Sequence, residues 1–398
     1  MFTHIPESAG DPILSLVEKF DADPRPNKIN LSIGLFYDGE GKVPLLESVR
    51  LAEERLTAQR LPRPYLPMDG HVGFRKAARE YVFSPKHEAI ASERIATIQT
   101  VGGSGALSLT ANFLRRFLPQ TQFWVSDPTW SNHLSIFKDA GLEVHEYTYY
   151  DLAENKVCFD KILACMQTLP KGSMVLLHPC CHNPTGMDLT QEQWLQLIPV
   201  FKERNLIAYL DIAYQGFGTG IEEDAWAVRE FASAGIVCFV GSSFSKSFSL
   251  YAERIGVLHI VCKDKEEANR ILSQMKAGAR LQYSSPPIHG AQIIDIVLND
   301  PELRQSWAAN IDSMRSRVQE MRQALKSTLS AMVPGRNFDY LTAQQGMFSY
   351  TGLSKKQVDR LKEEYAIYLV GSGRICVAGL NHHNIQYVAE SMAKVMAE

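Results

Sequence analysis

The sequence predicts an α/β fold: a mostly parallel sheet sandwiched by helices, with a smaller α+β domain formed by both termini. Three observations lead there. Between about residues 95 and 260, short apolar runs alternate with stretches whose apolar residues recur at helical spacing. Strands alternating with helices form parallel sheets covered on both faces. Polar signatures fall just after the apolar runs, where such folds bind ligands. From residue 301 the texture changes to one long helical pattern followed by short mixed elements.

In order, residues 95–101 read as a strand and 105–118, with apolar residues at helical spacing, as a helix. A strand at 123–126, a helix at 132–140 and a strand at 143–149 follow. The run 174–178 is a strand ending in a Pro/Asn/Gly loop. Next come a helix at 191–204, a strand at 206–211, a helix at 225–234, and strands at 236–240 and 254–261. The pattern over 301–332 is a long helix with charges between regularly spaced apolar residues. After it come a segment at 347–350, a helix at 355–365, short strands at 367–370 and 374–377, and a terminal helix. The expected domains are 1–45 (arm and part of the small domain), 46–305 (large, ligand-binding) and 306–398 (small).

At 398 residues the chain can bury two cores. A net charge of −3 gives no electrostatic case for nucleic acid or an anionic membrane as partner. No apolar stretch approaches the roughly 20 residues that span a bilayer. The start, Met-Phe-Thr-His-Ile-Pro-Glu-Ser, has no basic region before an apolar one, so no signal peptide is expected. Seven scattered cysteines fit reduced thiols in a cytoplasm better than a disulfide framework. Cys180 and Cys181 are adjacent and no C-x-x-C occurs. His178 and His182 lack a locally spaced third ligand, so no metal is expected.

Lys246 lies in Gly241-Ser-Ser-Phe-Ser-Lys-Ser-Phe-Ser, after an apolar run, with Arg254 eight residues on. A desolvated lysine is a nucleophile able to form a Schiff base. The hydroxyls and the arginine suit a phosphate, which together point to an aldehyde cofactor carrying one. Asp211 ends a strand, where a buried carboxylate needs a partner, and a protonated pyridine nitrogen is a suitable one. Tyr214, three residues on, can reach the same ring. Asn183, in the turn Asn183-Pro-Thr-Gly, can donate to an oxygen on it. Gly102-Gly-Ser-Gly105 joins a strand to a helix and favours phosphate, though it matches neither G-x-G-x-x-G nor a Walker loop. Arg374 opens a strand after glycines, and its planar fork can grip a carboxylate. Trp130 follows a strand end, where an indole can stack on a planar ring. Each segment taken singly also has an ordinary reading, as a solvated turn, a loop aspartate or a surface arginine.

Together they are far more specific. The chain resembles the class I (fold-type I) pyridoxal-phosphate-dependent aminotransferases, in the branch of the bacterial aromatic and aspartate enzymes. The resemblance runs end to end. It begins at Ala9-Gly-Asp-Pro-Ile-Leu and Asn30-Leu-Ser-Ile-Gly34. It continues through His182-Asn-Pro-Thr-Gly, Asp211-Ile-Ala-Tyr-Gln-Gly-Phe, Ser245-Lys-Ser-Phe, Tyr283-Ser-Ser-Pro-Pro and Gly346-Met-Phe-Ser. It closes at Ser372-Gly-Arg-Ile-Cys-Val-Ala-Gly.

The resemblance implies that Lys246 forms the Schiff base and, once released, moves the Cα proton. It pairs Asp211 with the pyridine nitrogen and sets Tyr214 and Asn183 on the ring's 3-oxygen. Gly103, Ser104, Ser243, Ser245 and Arg254 would hold the phosphate, and Trp130 would lie against the ring. Arg374 and Asn183, with the Gly34 backbone, would hold the substrate α-carboxylate. Tyr65 (to the phosphate) and Arg280 (to a distal carboxylate) would come from the partner subunit, which makes a homodimer the expected state. Leu66-Pro-Met-Asp-Gly70 and Ser285 look more like the aromatic branch. The implied reaction is ping-pong transamination of Phe, Tyr or Trp, and also Asp or Glu, with 2-oxoglutarate. A narrow aspartate aminotransferase is the alternative. Ser243-Phe-Ser-Lys246 also satisfies the S-x-x-K of Ser–Lys acyl hydrolases, but the companion S-D-N and K-T-G motifs are absent. A non-catalytic protein on this fold would be expected to have lost Lys246, Asp211 or Arg374.

Overall fold

The computed structural model describes residues 1–7 and 10–397, so Ala9 of the first motif and Glu398 of the last domain lie outside the described residues. Two compact units form: Met1–Val43 with Arg317–Glu398, and Pro44–Ser316.

The larger unit is built on one seven-stranded sheet. Its order is Ile95–Val101, Ile255–Val261, Cys238–Ser243, Ile207–Ile212, Met174–Leu177, Phe123–Asp127, Val144–Thr148. All neighbours run parallel except Ile255–Val261, which is antiparallel to both strands beside it. The sheet is therefore mostly parallel, as the alternating pattern predicts. Its central strands are buried on both faces, with Val175, Leu176, Ala208 and Val240 all at 0% exposure, so their affinity for the interior comes from apolar area removed from water. The helix Gly102–Phe117 packs Leu107 and Leu114 against Ile98, Leu176 and Leu258. Phe123 and Phe137 stack at 3.5 Å between ring centroids. The parallel strands thus end together on one edge, where Asp211 and the polar loops emerge.

Of the boundaries that differ from expectation, two matter for that edge. The strand expected at 236–240 is Cys238–Ser243, because Gly241, Ser242 and Ser243 continue the ladder opposite Leu258, Val257 and Gly256. Inter-strand hydrogen bonds there outweigh polar composition. The helix expected from residue 105 starts at Gly102, so the glycine turn is itself the helix N-terminus. Helices not expected from the sequence also form, among them Glu47–Ala58, Val72–Phe83, Phe159–Thr168, Lys265–Gln282 and His289–Asn299.

In the smaller unit, Asp11 caps the helix Pro12–Ala22 by accepting from the Ile13 and Leu14 amides at 2.8 and 2.9 Å. The strand Ile29–Asn30 pairs in parallel with Ile367–Tyr368. Phe348–Tyr350 pairs antiparallel with Arg374–Cys376. Ser354 and Gln357 form a capping box on the helix Lys355–Tyr365, a feature worth about 1 kcal/mol. Buried Arg322 donates to the Leu341 and Gly346 carbonyls at 3.0 and 2.8 Å, which seats the segment leading into Phe348. Among the described residues, no helix is long and apolar enough to cross a membrane.

Candidate functional site

Lys246 sits on a turn immediately after Cys238–Ser243, and its neighbours explain its placement. Phe244 and Phe248, two residues to either side, are buried at 1% and 0% exposure. Phe244 meets Phe74 edge-on at 5.2 Å, and Phe248 stacks on Trp307 at 4.8 Å. The Trp307 indole donates to the Ser247 carbonyl at 2.7 Å. Two aromatic anchors and one buried hydrogen bond therefore clamp the turn, leaving the lysine half-buried with Nζ 4.8 Å from the centre of the Tyr214 ring.

Tyr214 is held by the loop after Ile207–Ile212. Buried Asp224 shapes that loop by accepting from the Gly216, Gly218 and Thr219 amides at 2.8, 2.9 and 2.8 Å. Within the strand itself, Asp211 Oδ2 accepts from His133 Nε2 at 2.9 Å. With Nε2 as donor, His133 Nδ1 is left to meet the Thr129 hydroxyl at 2.8 Å. Burial alone would raise the Asp211 pKa, but the His133 hydrogen bond and the nearby Lys246 charge outweigh it and hold the carboxyl below its ordinary value. Asp211 is thus an anion in a buried place, next to an amine.

The loop from Met174–Leu177 carries Asn183, which is buried with its Oδ1 lacking a partner. Such an atom costs about 1–3 kcal/mol unless something binds it. Asp188 ties the loop down, accepting from the Cys181 and His182 amides at 2.7 Å each. Burial pushes His178 down to about 3, so its imidazole is neutral. Trp130 precedes the helix Ser131–Asp139, with its ring edge-on to His133 at 5.3 Å.

An anion cradle lies at the start of Gly102–Phe117. A Cβ on Gly102, whose φ is +65°, would lie 2.6 Å from Arg254 Nη2. One on Gly256 would lie 2.5 Å from the Gly102 carbonyl carbon, so the two backbones can approach this closely only because residue 256 is glycine. Arg254 Nη1 reaches the Ser245 hydroxyl at 3.3 Å, and Ser245 lies 3.3 Å from the Ser243 hydroxyl. Gly103 faces Ser243, with a hypothetical Cβ 3.6 Å from its side chain. Ser104 follows in the first helical turn. A helix N-terminus, a guanidinium and two hydroxyls make a phosphate site. Arg254 itself has φ 56°, a left-handed conformation that costs a non-glycine residue roughly 1–2 kcal/mol.

The structure thus groups Lys246 with Tyr214, Asp211 with His133, and Gly102 and Gly103 with Ser243, Ser245 and Arg254. An anion for a ring nitrogen, an amine and a phosphate cradle all fit a phosphorylated pyridine aldehyde. Tyr65 is 94% exposed. Arg280 is also exposed, its guanidinium donating to the Ser284 hydroxyl. Neither is joined to the cluster by a hydrogen bond or ion pair among the described residues. In the smaller unit, Arg374 is buried, donates to the Ser32 carbonyl, and lies over the Phe348 ring at 4.3 Å. A Cβ on Gly34 would lie 2.8 Å from that same ring.

Two groups of metal-type side chains were invisible in sequence spacing: His133, His178 and Asp211, and Cys180, Cys181 and Asp224. Both carboxylates are already engaged, Asp211 by His133 and Asp224 by backbone amides. We assign no metal to either. Sequence reasoning missed His133, and also Phe244, Phe248 and Trp307. The Thr129-x-x-x-His133 spacing at a helix start was the available signal for the first.

Comparison with known proteins agrees with this chemistry. The family described as "Aminotransferase class I and II" matches residues 26–392. The aromatic-amino-acid aminotransferase of Escherichia coli (strain K12) is 55% identical over 397 residues, covering 100% of both chains. The structure of an aromatic amino acids aminotransferase from Psychrobacter sp. B6, cocrystallised with aspartic acid, superposes with a TM-score of 0.98 at 49% identity over 100% of both chains. That of the Burkholderia pseudomallei aromatic-amino-acid aminotransferase, covalently bound to pyridoxal phosphate, gives 0.97 at 48% identity over 99% of each chain.

Proposed function

The chain belongs to the aminotransferase class I and II family, and from that premise we propose how its own residues divide the work. It is a pyridoxal-phosphate-dependent enzyme that transfers amino groups between amino acids and 2-oxo acids. Its donors are aromatic amino acids and aspartate, and 2-oxoglutarate is the acceptor in a ping-pong cycle. When bound, the cofactor supplies an aldehyde that takes up amines and a cationic ring that withdraws electrons from Cα.

Lys246 Nζ would hold that aldehyde and, when free, would serve as the general base that takes the Cα proton. Asp211 would pair with the ring nitrogen and favour its protonated form. Tyr214 and Asn183 would donate to the ring's 3-oxygen, and Trp130 would cover the ring face. The amides of Gly103 and Ser104, the hydroxyls of Ser243 and Ser245, and Arg254 hold the phosphate. Arg374, with Asn183 and the Gly34 backbone, takes the α-carboxylate. Tyr65 and Arg280 serve the partner subunit of a cytoplasmic homodimer, and their exposure on this chain supports that role. The observation that carries the reading is Asp211, a buried anion at a strand end beside an amine. Family membership across residues 26–392 leaves no place for a Ser–Lys acyl hydrolase.

The test is kcat/KM for phenylalanine, tyrosine and aspartate with 2-oxoglutarate as common acceptor. Turnover of all three is expected, and turnover of aspartate alone would identify the narrow dicarboxylate enzyme. Arg280→Ala should lower kcat/KM for aspartate by roughly 30-fold or more, the equivalent of losing a hydrogen-bonded charge partner worth about 2–5 kcal/mol. Phenylalanine should be nearly unaffected. An unpaired arginine beneath an aromatic ring is costly, so Arg280 turns toward solvent when an aromatic substrate binds. A complex with an aromatic inhibitor in which Arg280 still points inward would refute that.

The cradle gives a separate prediction. Gly102→Ala must displace Arg254 and strain a positive-φ residue. Losing a charged hydrogen bond worth about 1.5–3 kcal/mol should weaken cofactor binding roughly 10- to 150-fold. Titration of the apoenzyme with pyridoxal phosphate measures it, and parent-like affinity would exclude Arg254 from the phosphate site.

A further inference from the structure

Tyr65 lies on an exposed loop and Arg280 at a helix end, so keeping the two in register requires contacts between those segments. Buried Asp69 is four residues after Tyr65. Its Oδ2 pairs with Lys276 Nζ at 3.2 Å and with Arg75 Nη2 at 3.2 Å. Lys276 is one helical turn before Arg280 on Lys265–Gln282. Gln99, at 0% exposure, makes a second tie between the same segments. Its Oε1 accepts from the His71 amide at 2.9 Å, and its Nε2 donates to the Pro287 carbonyl at 2.7 Å. The Gln99 amide also donates to the Asp69 carbonyl at 3.0 Å. Gly70 permits this approach, because a Cβ there would fall 2.3 Å from that of Gln99.

We propose that Asp69, through Lys276 and with Gln99 beside it, is a positioning residue that locks the Tyr65 loop to the Arg280 helix end. The two residues then reach the partner's site as one rigid unit, and this selects dicarboxylate substrates. The inference rests on the reading that Arg280 receives the distal carboxylate. A carboxylate with two cationic partners and little exposure is held far more rigidly than an exposed surface pair, because both partners are half-buried or better and solvent screens them less. Burial of Gln99, hydrogen-bonded at both Oε1 and Nε2, on the edge strand Ile95–Val101 fixes the loop from the other side.

The experiment compares holoenzymes of the parent, Asp69→Asn, Lys276→Met, Lys276→Arg and Arg280→Ala. Each is assayed for the ratio of kcat/KM with aspartate to that with phenylalanine. Asp69→Asn and Lys276→Met should each lower the ratio about tenfold, mainly through KM for aspartate, since a displacement of an ångström at a binding group is enough for that. Lys276→Arg should restore most of it, which a general loss of stability would not produce. Release of cofactor on gel filtration should quicken in Asp69→Asn through Tyr65. If Arg280→Ala leaves the ratio unchanged, the reading of Arg280 fails and the proposal falls with it. If Arg280→Ala collapses the ratio while Asp69→Asn and Lys276→Met keep it within twofold of the parent, that reading stands and the positioning role alone is overturned.

Discussion

Lys246→Ala is expected to bind pyridoxal phosphate without attaching it and to lose essentially all turnover. General base catalysis alone contributes about 10²–10⁴ in rate, and the variant also loses the tether. No neighbouring group can substitute. Burial and the neighbouring His133 push His178 down to about 3, far too weak a base at neutral pH. His133 spends Nε2 on Asp211. Lys246→Arg separates charge from chemistry: a guanidinium stays protonated throughout the accessible range and cannot accept the Cα proton. It should fail as completely as alanine while keeping the turn, because Phe244, Phe248 and Trp307 hold that turn independently of the side chain. Steady-state turnover and the visible absorbance that borohydride fixes in the parent are the two measurements. Parent-like values of either in Lys246→Ala would refute the assignment.

Much of this was legible in the sequence because the relevant signals are local. The run 174–178 became a central strand within a residue, since burial on both faces demands a continuous apolar run, and 95–101, with Thr97, Gln99 and Thr100 inside it, became an edge strand. Asp211, Lys246 and Arg254 each stand at a strand end, where the pattern changes character abruptly. What the sequence did not reveal depends on contacts between distant segments. The strand Cys238–Ser243 runs on into serines because Ile255–Val261 pairs with it, and no residue inside 236–243 announces that partner. His133 meets Asp211 across 78 positions, and Gln99 reaches Pro287 across 188. The Gly102 helix start is approached by the backbone of Gly256, a distant segment that its own sequence does not announce. Lys265–Gln282 went unnamed because its apolar residues are scattered among many charges, and only packing against Gly102–Phe117 reveals its buried face.

Asp211→Asn should be nearly isosteric and should fold, since the amide oxygen can still accept from His133 Nε2. What it removes is the charge. In the parent, burial raises the Asp211 pKa, but His133 and Lys246 more than offset it, so the carboxyl remains ionised below the ordinary carboxylate range. Because its folded pKa is depressed, the ionised form also stabilises the fold above pH ~4 and loses that contribution only as pH falls through the folded value. A cationic ring nitrogen left without its buried partner costs about 3–5 kcal/mol, or roughly 10²–10⁴ in rate. Without the Asp211 charge, this chain would offer no anion to favour the protonated, electron-withdrawing form of a bound ring. The loss should shrink as pH falls, when solvent supplies the proton that Asp211 otherwise retains, so the variant should gain rate on acidification while the parent does not. His133→Asn should cost less than Asp211→Asn, because it removes the hydrogen bond and leaves the anion. A pH profile of kcat for the three proteins decides the matter. If Asp211→Asn lowers the rate less than tenfold and equally at all pH values, Asp211 acts by shape and the charge pairing assigned to it is wrong.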